Sequence, residues 1–202
     1  MKKQKTTPED LCKLNFEKCL DEGRMIMVLV CLVLLKGDMV SVQKRCAALS
    51  YNTLKIKYGF NRSQYNHVTS GMPLNKMDIS LLSIIIHAFG GLNPGERHED
   101  QQLQDDLREL KESRNSYVHE KQSSSMDKTK LKTKLKDTET LCVRIMEQLK
   151  SHCDPKIYPS EAEIDKNIGI IQNNFFSLQD TLYDHIKDKV GCTCPKQPMA
   201  VP

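Results

Sequence analysis

The chain has 202 residues, 39% of them apolar and 28% charged, and a formal net charge of +4. This size and composition predict a single domain with one hydrophobic core, while so small a positive charge permits RNA binding without arguing for it. Eight cysteines are too few in a chain of this length to indicate a disulfide framework, and we expect reduced thiols that pack as small apolar groups.

Helix signals recur along almost the whole chain. Thr7 and Pro8 begin a first helix with a capping hydroxyl and a proline in the first turn, and Gly23 is predicted to end it. Helices are predicted over residues 8–22, 24–36, 40–58, 79–89, 99–121 and 127–152, with a last long helix opening at 159–161 and a loop over 59–77. We therefore expect an all-α fold. It would be an antiparallel helical bundle with additional N-terminal helices over residues 1–190, followed by a flexible tail at 191–202.

Residues 25–35 form an uninterrupted run of eleven apolar residues, and such a run can belong to a membrane span or a signal peptide. A helix of this length reaches about 16 Å, roughly half the thickness of a bilayer core. Acidic residues separate the run from the basic N-terminus and no small-residue cleavage site follows Leu35, which argues against a signal peptide. We expect a buried core helix, in a cytoplasmic or nuclear protein that does not contact a membrane.

The helices predicted at 99–121 and 127–152 carry opposite charges. Residues 96–120 hold eight acids and four bases, whereas residues 121–150 hold eight bases and four acids. Opposed charges on consecutive helices favour an antiparallel hairpin. The lysines of the later helix are interpreted as a solvated face, with contact to an RNA backbone as the alternative.

Arg114, Asn115 and His119 place a guanidinium, an amide and an imidazole on about one and a half turns of the helix at 99–121. Arg114 continues the apolar stripe of this helix, whereas Asn115 and His119 share a neighbouring face with Glu112. Arg114 and His119 are about 140° apart around an ideal helix. They can meet at one substrate atom only if the helix is distorted near its end or if two copies of the motif face each other.

The segment Met77-Asp-Ile-Ser-Leu-Leu-Ser-Ile-Ile-Ile-His87, followed by a proline-containing connector and Arg114-Asn115-x-x-x-His119, resembles the HEPN superfamily. The branch it resembles is found in the DAZ-interacting zinc-finger ubiquitin ligases, where an Asp-Ile-(Ser/Thr)-Leu-Leu helix precedes an Arg-Asn-x-x-x-His helix. The resemblance is close over residues 75–121 and extends to the flanking helices by their pattern only. It implies a helical bundle that forms a homodimer through the motif helix.

Two functions follow from this resemblance. The first is a module for dimerisation, protein interaction or the binding of single-stranded RNA, within a larger signalling or innate-defence protein. The second is a metal-independent endoribonuclease with a composite site shared by two protomers. In that enzyme His119 would be the general acid or base, and Arg114 would hold the scissile phosphate. Asn115 would orient His119 or the phosphate, with Glu112 in support. The same side chains could instead form a polar network without chemistry.

No cofactor or metal is predicted. Cys192 and Cys194 supply two ligands where a zinc site needs about four, and nothing in the spacing requires His152 and Cys153 to complete the set. The chain has no glycine loop followed by Lys-Ser or Lys-Thr, so nucleotide binding is not expected. His87, on the apolar helix at 79–89, is interpreted as a core histidine with satisfied hydrogen bonds.

Overall fold

The computed structural model describes residues 8–93, 95–120, 128–154, 156 and 159–187, without the side chains of 8–17, 20, 117–120, 128, 131 and 181–187. The described residues form eight α-helices and no strand, which confirms the predicted all-α fold. The helices are α1 (Pro8–Leu34), α2 (Met39–Ala48), α3 (Tyr51–Tyr58), α4 (Arg62–Thr69), α5 (Ile79–Phe89), α6 (His98–Glu120), α7 (Lys128–Leu149) and α8 (Glu161–Lys187). Two short 3-10 turns, Leu74–Lys76 and Lys150–His152, precede α5 and follow α7.

The predicted break at Gly23 is wrong, because α1 runs without interruption from Pro8 to Leu34. Gly23 is buried within this helix, and a Cβ at this position would lie 3.3 Å from Leu110 Cδ1 and 3.7 Å from Ile79 Cδ1. The glycine therefore lets α5 and α6 approach α1 closely. A residue that often ends helices is used here for helix packing.

Replacing Gly23 with leucine should lower the free energy of unfolding by about 1–2 kcal/mol. Overpacking a well-filled core typically costs about 1–3 kcal/mol, and the better helix propensity of leucine returns up to about 1 kcal/mol of it. The matched control is Gly169→Leu in α8, where a Cβ would meet no atom within 4 Å. Urea denaturation should show Gly169→Leu to be neutral or slightly stabilising, and equal stability of the two variants would contradict the close packing at Gly23.

The region from residue 40 to residue 77 also differs from its prediction. The helix predicted over 40–58 is divided into α2 and α3, because Ser50 adopts an extended conformation and its hydroxyl caps Thr53 N–H at 3.2 Å. The predicted loop over 59–77 contains α4, which Asn61 opens with a capping box to Gln64. Both errors arise because Ser and Asn favour loops and helix N-termini alike.

Helix α5 has its predicted bounds and packs against α1. Asp78 caps it by accepting a hydrogen bond from Leu81 N–H at 2.8 Å. The apolar run at 25–35 contributes most of its side chains to the core, which confirms that it is a buried helix segment. Within the part of the chain that the structure describes, no single helix combines the length and the apolar composition needed to cross a membrane.

Helices α6 and α7 form the predicted antiparallel hairpin. Asp106 of α6 accepts hydrogen bonds from Arg144 and Gln148 of α7 at 2.8 and 2.9 Å. Further along α6, Ser116 lines a shared cleft with Lys134, which lies earlier in α7. The residue numbers rise on one helix as they fall on the other, and the opposite charges anticipated from the sequence do meet. Helix α7 also packs on α1 and α8, so the bundle closes around one connected cluster of buried side chains.

The cysteines of the described core behave as small apolar side chains. Cys19, Cys31, Cys46 and Cys142 are buried and unpaired, and Cys153 is unpaired and half-buried. Burial raises the pKa of Cys19 to about 12 and that of Cys46 to about 11, so these thiols stay protonated. The prediction of reduced thiols is confirmed for these five. The tail at 191–202, with Cys192 and Cys194, lies outside the described residues, and the single domain over 1–190 stays a prediction.

Candidate functional site

Helix α6 carries the motif, and its buried stripe fixes how the helix is oriented. Leu103, Leu107 and Leu110 are buried as predicted, and Arg114 is half-buried at the end of the same stripe. The Arg114 guanidinium donates a hydrogen bond to Asn115 Oδ1 at 3.1 Å. The structure thus brings two of the three motif side chains together. The backbone at position 119 belongs to α6, but the His119 side chain lies outside the described residues.

A row of polar side chains on α6 leads to Asn115. Gln104, Arg108, Lys111 and Asn115 follow one another at steps of four, three and four residues, which places them on one side of a helix. The row is separate from the buried leucine stripe. Position 119 is one further step of four along it, because α6 is helical without interruption up to Glu120.

The first three residues of this row form one wall of a cleft of about 300 Å³ between α3, α5 and α6, here called the α5–α6 cleft. Its lining consists of Tyr58, Ser83, Ile84, Ile86, His87, Leu92, Gln104, Leu107, Arg108 and Lys111. Four of these side chains are aliphatic, and the cationic and amide groups stand beside them. A cleft that combines apolar surface with a few polar groups is the usual form of a ligand site.

His87 lies in this cleft and is not the core histidine that the sequence suggested. Its side chain is exposed, since it lies on the outer side of α5 while Ile85 and Ile86 face the core. Its Nδ1 is 2.9 Å from the side-chain nitrogen of Gln104. Because an amide nitrogen only donates, Nδ1 is the acceptor, and the proton of a neutral ring is on Nε2. The ring also contacts Tyr58 edge to face at 6.4 Å between centroids.

The opposite side of α6 has a different charge. A second cleft of about 320 Å³, the α6–α7 cleft, is lined by three carboxylates and one lysine among other residues. The charged residues are Glu109, Glu112, Asp137 and Lys134. Glu112 thus lines the cleft that faces α7, although it is also within one helical turn of Arg108 and Asn115. An anionic ligand would be repelled on that side and attracted to the α5–α6 cleft, whose described lining includes Arg108 and Lys111 and no carboxylate, although Asp105 bonds Arg108 at 2.7 Å.

Sequence reasoning identified Arg114 and Asn115 but missed the cleft beside them. Gln104, Arg108 and Lys111 could have been found, because their spacing with Asn115 is already helical in the sequence. His87 and Tyr58 could not, because only the packing of α3 and α5 against α6 brings them to the row.

Metal ligation has no support among the described residues, which contain no group of three or more His, Cys, Asp or Glu side chains arranged to hold an ion. His152 and Cys153 are both within the described range. Cys192 and Cys194, the two ligands that His152 and Cys153 could have completed to four, are outside it.

Comparison with known proteins gives no match to a family model, to a curated protein or to a solved structure. The resemblance to the HEPN superfamily therefore depends on the residue pattern of 75–121 alone.

Proposed function

We propose that the chain is a HEPN-like helical module that binds single-stranded RNA in the α5–α6 cleft without cleaving it. The observation that supports this proposal is the row of Gln104, Arg108 and Lys111, which joins an apolar cleft to the Arg114–Asn115 pair. The same arrangement is compatible with the family resemblance, in which the Arg-Asn-x-x-x-His helix contacts RNA.

Each part of the cleft matches one part of a single-stranded nucleotide. Arg108 and Lys111 provide charge for the phosphates, which supply most of the affinity of nucleic-acid complexes. Gln104 in the cleft, and Asn115 beyond it on the same row, offer amide groups for base edges, which are accessible only when the bases are unpaired. The aliphatic side chains, with Tyr58 beside them, give an exposed base an apolar surface to cover.

Binding is favoured over cleavage because positions 114 and 119 lie on different sides of one continuous helix. Helix α6 is uninterrupted from His98 to Glu120, so no break in the helix removes the separation of about 140° between positions 114 and 119. Catalysis would then need a second copy. Pairing of two copies through α6, as the resemblance implies, stays a separate proposal that light scattering of the purified chain would test.

A metal-independent endoribonuclease is the second candidate. It is favoured by one observation, that position 119 follows Asn115 by one step of the row that lines the cleft. An imidazole there would be next to bound phosphate in an adjoining copy, and its ordinary pKa suits acid–base catalysis near neutral pH.

Lys111→Glu should weaken the binding of a labelled single-stranded RNA by about tenfold, because it replaces an attractive charge in the cleft with a repulsive one. The measurement is fluorescence anisotropy at a fixed, moderate salt concentration. The control is Lys18→Glu on the exposed face of α1, which changes the net charge by the same amount. Equal losses in the two variants would reduce the effect to non-specific attraction, and no binding by the intact chain would refute the proposal.

The same samples distinguish the two functions. After incubation in EDTA, the RNA should be intact on a denaturing gel. Cleavage that persists in EDTA and falls by about 10²–10⁴-fold in His119→Ala would replace the binding proposal with the ribonuclease, since that is the usual contribution of a positioned acid or base.

A further inference from the structure

The segment from Met39 to Met77 is the longest stretch of the chain without an acidic residue. It contains six Lys and Arg residues and no Asp or Glu, a local charge of +6 within a chain whose total is +4. All six side chains are exposed, and none of them forms an ion pair with a carboxylate in the described residues. They are Lys44, Arg45, Lys55, Lys57, Arg62 and Lys76.

Three of these cations lie over aromatic rings. Arg62 is 5.0 Å from the ring centroid of Tyr51 and 5.9 Å from that of Tyr65. Lys57 lies 5.0 Å from the centroid of Tyr58, and Arg45 lies 4.9 Å from that of Phe89. These rings are half-buried at the surface of α3, α4 and α5, and Tyr58, Tyr65 and Phe89 also pack against the core. We call the four rings and their three cations the aromatic surface.

The aromatic surface adjoins the α5–α6 cleft through Tyr58, which belongs to both. Tyr51 and Tyr58 are seven residues apart on α3, so they lie on one side of that helix at a separation of about 10 Å along its axis. Tyr58 also contacts Phe89 at 6.0 Å between centroids, and Tyr51 contacts Tyr65 at 5.8 Å. The rings thus form two pairs, Tyr51 with Tyr65 and Tyr58 with Phe89, and the second pair lies at the cleft.

We propose that the aromatic surface and the α5–α6 cleft form one track for an extended single strand of RNA, with bases stacked on the tyrosines and phosphates held by the adjacent cations. This inference rests on the proposed function and specifies its ligand as an oligonucleotide, in contrast to a mononucleotide or a duplex. Aromatic faces stack on any unpaired base, whereas the bases of a duplex are already stacked on each other. A cation displaced from a ring by a base stays within reach of the neighbouring phosphate.

An anionic lipid surface is the other polyanion that a basic region could contact. Ile56, between Lys55 and Lys57, is 86% exposed and could insert among lipids. The four cation–ring contacts favour RNA, because flat faces paired with cations match the alternation of base and phosphate along a strand. Vesicle binding is therefore an outcome that the test must separate from RNA binding.

The test compares RNAs of about 4 and about 12 nucleotides, because only the longer one spans both the cleft and the aromatic surface. The full chain should bind the longer RNA more tightly, and a duplex of the same sequence more weakly than the single strand. Tyr51→Leu, which keeps apolar bulk but removes the ring, should weaken binding of the longer RNA by about tenfold and leave the shorter one unchanged. Tyr51→Phe, which keeps the ring, should bind within about twofold of the unchanged chain.

The outcomes separate this inference from the proposed function. If Tyr51→Leu binds the longer RNA normally, the extended track is refuted, while the cleft can still bind RNA. The same holds if the loss of affinity is no larger than the unfolded fraction indicated by the thermal midpoint of the variant. If neither RNA binds, both proposals fail. If vesicles containing phosphatidylserine bind the chain, the longer RNA does not compete, and Tyr51→Leu abolishes vesicle binding, the surface is a lipid site and the track is again refuted.

Discussion

Replacing Arg144 with alanine is expected to lower the free energy of unfolding by about 3 kcal/mol, because it leaves the Asp106 carboxylate buried without a cation. The Asp106 side chain is only 2% exposed, and both of its oxygens accept hydrogen bonds from Arg144 at 2.8 Å. Removing one partner of a buried ion pair costs about 3–5 kcal/mol. The lower end applies here, since Arg144 is 45% exposed and Gln148 still donates to Asp106.

Arg108→Ala is the matched control for this prediction. Arg108 bonds Asp105 at 2.7 Å within α6, but its side chain is 66% exposed and that of Asp105 is 36% exposed. Surface ion pairs of this kind contribute at most about 1 kcal/mol. Chemical denaturation of both variants should therefore give clearly different midpoints. Similar losses would mean that Asp106 is stabilised by its amide donors and that the α6–α7 hairpin does not depend on Arg144.

The parts of the fold that could be predicted are those that local sequence determines. The cap at Asp78, the leucine stripe of α6 and the isoleucine stripe of α8 each specify an element without reference to the remainder of the chain. Gly23 shows where this fails. Its buried position depends on Leu110 and Ile79, which are distant in sequence, so a helix stop and a close helix contact have the same local signature.

The candidate site could be predicted only in part for a related reason. Arg114 and Asn115 are adjacent in sequence, so their hydrogen bond is local, whereas the contact of Gln104 with His87 requires α5 to pack beside α6. The basic segment at 39–77 does not show in the net charge of the whole chain, because acids elsewhere reduce that total to +4. Charge counted over windows of one or two helices would have revealed it.

Phe175→Ala is expected to have the largest effect on stability, about 3–5 kcal/mol. The Phe175 side chain is fully buried between α8 and the remainder of the core, and its removal combines the loss of apolar burial with a cavity that the surrounding helices fill only in part. The position belongs to the stripe of Ile164, Ile168 and Ile171, all buried, by which α8 packs on α7 and α1. Thermal and chemical unfolding should both show the loss.

Phe176→Ala is the matched control, because the side chain of this adjacent residue is exposed and not buried. Phe176 is 66% exposed, and its replacement by alanine removes little buried surface, so Phe176→Ala should change stability by less than about 1 kcal/mol. The two substitutions are chemically identical and one residue apart in the same helix. The difference between their free energies of unfolding therefore measures the packing of α8. If Phe175→Ala unfolded no more readily than Phe176→Ala, α8 would contribute little to the core. The bundle would then be held together by the contacts among α1, α5, α6 and α7.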